Sequence, residues 1–221
     1  NPSARANIPW PWKIRPWAIS SNDVSDLFQT QDDATPLTNE ETLALIPSLS
    51  TRAELNEVER SGILAARIWA MRPRTLKRED LVTDTFAREL HRRMFKGVWK
   101  WAGHYRKTER NLGWEVHRLT EGIYHAFADA RTWLQYDTYP LHEMAIRLHH
   151  QLVRVHPWPN GNGRHARLMA DVLVQSRGGV ELTWGAGANL VTPSKIRVQY
   201  IAAVRKADEG NFAALLTFAS S

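Results

Sequence analysis

Two apolar helical patterns, "PLHEMAIRLHHQLVRVH" and "RHARLMADVLVQSRGG", run head to tail with only "PWPNGNG" between them. In the first, Leu141, Met144, Ala145, Leu148, Leu152 and Val155 recur at helical spacing. The second is apolar nearly all round, which predicts a central buried helix closed by Gly178 and Gly179. The loop and its flanks, "HPWPNGNGRHAR" at 156–167, therefore lie between two helices.

The remaining chain follows the same period. "TNEETLALI" predicts a short helix from Thr38, ended by Pro47. "STRAELNEVERSGILAARIWAMR" predicts a longer one, capped by Ser50 or Thr51, with Leu55, Val58, Ile63, Ala66 and Trp69 on one face. "DLVTDTFARELHRRMFKGVW" predicts another through Leu81, Phe86, Leu90 and Met94, stopping near Gly97, and "IYHAFADARTWLQYD" one more. "SKIRVQYIAAVRKADEGNFAALLTFA" supplies one or two final helices. The exception is 103–119, where glycines bracket a polar stretch, and there the pattern predicts a small β-hairpin flap. The expected fold class is all-α with that one flap. Residues 1–37, rich in Pro and Trp, read as an extended arm, 38–72 as an N-terminal helical region and 73–221 as the core domain.

Composition narrows the chemistry. The absence of cysteine among 221 residues removes disulfides, a thiol nucleophile and thiolate metal sites. No stretch reads as a membrane span or secretory leader, so the cytoplasm is the expected compartment. A net charge of +6 favours polyanionic partners without choosing among nucleotides, nucleic acids and acidic proteins. The histidines at 142, 149, 150, 156 and 165 lack the spacing and carboxylates of a metal site. Ten tryptophans fit core filling better than base stacking, so nucleic acid is not the expected partner.

The loop itself suits phosphate. "GNG" opens a helix at the end where backbone N–H groups have no intrahelical partner, and its glycines permit close approach of a bulky anion. Arg164 and Arg167, three residues apart on the first turns, can reach the same anion. His156 closes the preceding helix, and a neutral imidazole there can take a proton from a hydroxyl.

The string resembles the signature of the Fic/Doc family, H-P-F-x-D/E/N-G-N-G-R-x-x-R. It matches at His156, Pro157, Gly161, Asn162, Gly163, Arg164 and Arg167, with Trp158 in place of phenylalanine. "WKWAGHYRKTERNLG" is similar to the tryptophan-rich approach and flap of the family, and "ATPLTNEE" with "TRAELNEVE" resembles its mobile mystery protein B subgroup.

This resemblance implies transfer of AMP from ATP, with Mg²⁺, to a Ser, Thr or Tyr hydroxyl of a target protein. His156 would deprotonate the hydroxyl; Gly161, Asn162 and Gly163 would hold the α-phosphate; Arg164 and Arg167 would bind the outer phosphates. Asn160 stands at the family's metal-binding carboxylate position and would help hold Mg²⁺ through its amide oxygen. Thr108, Glu109, Arg110, Asn111 and Leu112 would align the target on the flap. "STRAELN" resembles the family's inhibitory helix, with Ser50 and Glu54 matching, so Glu54 would pair with Arg167 and brake the enzyme. The resemblance also implies a toxin-like or regulatory role in bacteria beside a helix-turn-helix partner. Transfer of UMP or phosphate, removal of AMP, and a non-catalytic nucleotide- or nucleic-acid-binding module remain open alternatives.

Overall fold

Capping and burial together decide where the helices of this computed structural model begin and end. It describes residues 38–49, 52–185 and 194–221; the expected N-terminal arm, Ser50 and Thr51 lie outside them. Helix α1 (Asn39–Thr42) starts from a capping box in which Thr38 and Glu41 each bond the other's backbone N–H. Two longer helices follow, α2 (Arg52–Ala70) and, after the single turn α3 (Pro73–Leu76), α4 (Asp84–Phe95), whose N-cap Thr83 accepts from the Phe86 N–H. A 3₁₀ turn (Val116–Arg118) leads into α5 (Leu119–Tyr136), and α6 (Leu141–Val155) and α7 (Asn162–Ser176) form a tight pair. Helices α8 (Lys195–Asp208) and α9 (Ala213–Ala219) close the chain.

Helix α7 is the centre. Ala166, Leu168, Met169, Ala170, Val172, Leu173 and Val174 are all buried, as an all-round apolar pattern requires. Helices α6 and α4 pack on it, with α5 outside α6 and α2 outside α4. Arg67 ties α2 directly to α7 through Asp171 at 2.9 Å. Glu59, three percent exposed, lies on the α2 face that carries Leu55, Ile63 and Ala66. Among the described residues no helix is long and apolar enough to cross a membrane.

Two expected elements differ. The first helix makes one turn only, because the backbone leaves it to pair across the chain: Leu45 forms an antiparallel bridge with Trp99, Ile46 N–H bonds the Val98 carbonyl, and Lys100 N–H bonds Ala44. The hairpin expected within 103–119 does not form; no strand occurs among the described residues. Its backbone groups go to other partners instead, since Arg106 N–H bonds the Pro157 carbonyl and Trp114 N–H bonds that of Val155.

Candidate active site

The polar loop is held from three sides. His156 ends α6 in the left-handed region (φ 53°), which turns the chain away from the helix, and Gly161 (φ 82°) starts α7 in the same region. Any side chain on Gly161 would meet the Phe95 ring at 2.5 Å, so glycine is required there twice over. The segment 103–115 grips the other end. Arg106, two percent exposed, donates from Nε to the His156 carbonyl at 2.8 Å and from its Nη atoms to the carbonyls of Thr108 and Trp114. Gly113 approaches so closely that a Cβ there would lie 2.5 Å from the His156 Cβ. The expected flap thus lines His156 as a coil pinned by one buried arginine.

Beneath the loop lies an aromatic floor. Trp158 is buried and stacks on His91 at 4.1 Å. Its indole N–H donates to Nδ1 of His165, whose Nε2 therefore carries the proton and donates to the Ala87 carbonyl. Gly103 N–H donates to Nδ1 of His91, so Nε2 of His91 donates to the Asn160 carbonyl. The tryptophan that replaces the family phenylalanine has an answered polar atom.

These rings are neutral. Burial, above all other causes, pushes His91 well below the ordinary histidine value, His165 to about 4 and His156 to about 3, the last helped by the Arg106 and Arg110 cations. Folded values below unfolded ones mean that the unfolded chain binds more protons in mild acid. Stability present above about pH 6.5 is therefore lost as pH falls, by about 1.4 kcal/mol per pH unit for each such ring. Urea midpoints measured between pH 6.5 and pH 5, above the carboxylate range, should fall; a flat profile would mean that the rings protonate within the fold.

The arginines open α7 as expected, but their partners are new. Arg164 donates from Nη1 to Oε2 of Glu59 at 2.6 Å, and its guanidinium lies over Phe95. The Arg167 guanidinium lies over the Tyr200 ring of α8, 5.4 Å from its centre, and the Tyr200 hydroxyl meets His149 Nε2 at 3.0 Å. Burial pushes Arg167 below and Tyr200 above their ordinary values. The α2 carboxylate that meets a loop arginine is thus Glu59, and it takes Arg164; Glu54 is exposed on the first turn of α2. Glu59 reaches Arg164 because it is on the helix face turned to the core.

Asn160 and Asn162 also depart from expectation. Asn162 bonds both the N–H and the carbonyl of Trp158, so its amide staples the loop rather than facing a ligand. Asn160 gives its amide oxygen to the Gly161 N–H at 2.7 Å and turns its NH₂ to Glu59 at 3.2 Å. A carboxylate at 160 would face that of Glu59 at this distance; an amide pairs with it. The Asn160 oxygen thus has one of its two lone pairs engaged, and among the described residues no group of three His, Cys, Asp or Glu side chains that could hold a metal comes together. The flap residues divide. Thr108 and Arg110 bond Glu41 of α1, Glu109 accepts from the Val116 N–H, Asn111 is exposed and Leu112 half-buried.

Sequence reasoning missed Glu59, Arg106, His91, His165, Tyr200 and Glu41. Glu59 had a signal: four residues from both Leu55 and Ile63, it is a charge on an apolar face.

The fold matches known structures. Fic-1 (residues 134–508, E274G) from Caenorhabditis elegans superposes with a TM-score of 0.61 at 24% identity, over 82% of this chain and 52% of that one. This chain thus spans about half the length of that relative. BepC, a VirB-translocated effector from Bartonella tribocorum solved with AMPPNP, gives 0.61 at 16% identity over 83% and 97%. The N-terminal Fic domain of a cell filamentation protein from Bartonella quintana, solved with ADP, gives 0.57 at 15% identity over 78% and 86%. No curated protein matches the chain by sequence. The Fic/DOC family profile matches residues 81–174, which run from the start of the α4 segment through α7 and contain the whole loop. Residues 81–174 thus match the Fic/DOC family, and the fold is that of solved Fic-domain structures.

Proposed function

We propose that the chain is a nucleotidyltransferase that moves AMP from ATP to a Ser, Thr or Tyr hydroxyl of a target protein. The observation that carries this reading is a neutral imidazole, His156, closing α6 one loop away from a helix N-terminus whose first turns bear two arginines. The hydroxyl oxygen attacks the α-phosphorus, the bond to pyrophosphate breaks, and His156 takes the proton. The N–H groups in the first turn of α7, with Arg164 and Arg167, hold the phosphates and the charge that develops on them. That two similar folds were solved with AMPPNP and ADP supports a nucleotide at this loop.

In this reading α2 is a brake. Glu59 holds Arg164 until the outer phosphates of ATP displace it.

The test is incubation of bacterial lysate with the protein, Mg²⁺ and ATP labelled at the α-phosphate. Label on protein that survives denaturation supports AMP transfer. Label only from γ-labelled ATP or from UTP would replace it with phosphate or UMP transfer. No label from any nucleotide, with salt-dependent DNA binding instead, would leave a binding module.

A further inference from the structure

Beside His156 the flap carries a second arginine whose situation differs from that of Arg106. Arg106 spends Nε and both Nη atoms on carbonyl groups and is a structural pin. The Arg110 side chain is only 4% exposed, yet its Nε has no hydrogen-bond partner, and its charge lies close enough to act on His156. A buried cation with an unspent donor is costly unless an anion meets it.

One anion does. The Glu41 carboxylate accepts from Arg110 Nη2, from the Thr108 hydroxyl at 3.1 Å and from the Thr38 N–H at 2.9 Å. Burial alone would raise its pKa, but these donors hold it below the ordinary carboxylate value. The segment that delivers Glu41 is thin. It is one helical turn and one β-bridge, steadied by Trp101 Nε1 on the Glu41 carbonyl, with Leu43 and Ile46 turned outward.

We infer that Thr108 and Arg110 form a carboxylate-binding subsite for an acidic side chain of the target protein, and that Glu41 fills it as an intramolecular stand-in. The inference rests on the transfer reading for its biological sense. Its chemistry does not: the subsite adjoins His156, its donors are on the surface expected to align the target, and its occupant is the functional group it would select. An arriving acidic residue would take the place of Glu41 and lift α1 away from the flap. A target hydroxyl flanked by Asp or Glu would then be preferred.

Fluorescence anisotropy of two dye-labelled peptides, a tyrosine flanked by glutamates and the same tyrosine flanked by glutamines, decides it. The Glu41→Gln protein should bind the glutamate peptide about tenfold tighter than the unchanged protein does, and about tenfold tighter than the glutamine peptide. Both advantages should vanish in Glu41→Gln/Arg110→Gln. Should that double variant fail to fold, Glu41→Gln/Thr108→Val should still lose a few-fold of the preference. Equal binding of the two peptides to Glu41→Gln overturns the proposal. So does a gain confined to AMPPNP binding, which would make the subsite one for nucleotide phosphate. Because binding is read without turnover, a protein that transfers no nucleotide still answers the question.

Discussion

Replacing His156 by alanine should abolish transfer of labelled AMP while leaving nucleotide binding in place. Other groups hold the loop: Arg106 reads the backbone carbonyl of His156, and Asn162 and Trp158 brace the turn beyond it. What the side chain supplies is a neutral nitrogen at the flap-lined end of the site, and general-base losses of this kind cost about 10²–10⁴-fold in rate. Histidine and alanine both pay the left-handed penalty of about 1–2 kcal/mol there, so His156→Asn, which tolerates that region better, is the partner variant. Calorimetry with AMPPNP should give affinities within about threefold of the unchanged protein for both, since uniform binding and chemistry are separable losses. Transfer surviving within tenfold in both variants would remove His156 from the reaction.

The parts of this site that were legible in the sequence are those governed by local rules. The α6–loop–α7 unit follows from apolar period, a left-handed closure and a glycine start, all written within residues 140–179. The closure at Gly178 is local in the same sense. What was not legible depends on distant partners. The helix from Thr38 shortens because Leu45 finds Trp99, and the flap stays a coil because Arg106 and Trp114 bond the end of α6. Asn162 follows the family letter for letter, yet its side chain is consumed by Trp158, a use that no spacing reveals. The motif match pointed to Glu54 alone; Glu59 emerges only from the packing of α2 on α4, which decides which carboxylate points inward.

That choice carries the second large effect. Glu59 gives Oε1 to the Trp99 indole and the Asn160 amide and Oε2 to Arg164. Glu59→Gln keeps an oxygen for Trp99 but removes the charge and presents an NH₂ to Arg164. Arg164 then has no carboxylate to give up when phosphates arrive. A charge-assisted hydrogen bond of about 1.5–3 kcal/mol no longer competes, so AMPPNP should bind roughly tenfold to a hundredfold tighter, with transfer rising alongside. Stability should move the other way. Taking one partner from a buried ion pair leaves the other uncompensated, and because the Arg164 side chain is 17% exposed the loss should be about 1–3 kcal/mol, below the value for a fully buried pair. A variant that merely loosened the fold would lower Tm and nucleotide affinity together, whereas release of a brake lowers Tm and raises affinity. Glu54→Gln, on the exposed first turn of the same helix, is the control and should change neither by more than about 0.5 kcal/mol. If Glu54→Gln tightens nucleotide binding and Glu59→Gln does not, the motif match was right and the ion pair seen here is only structural.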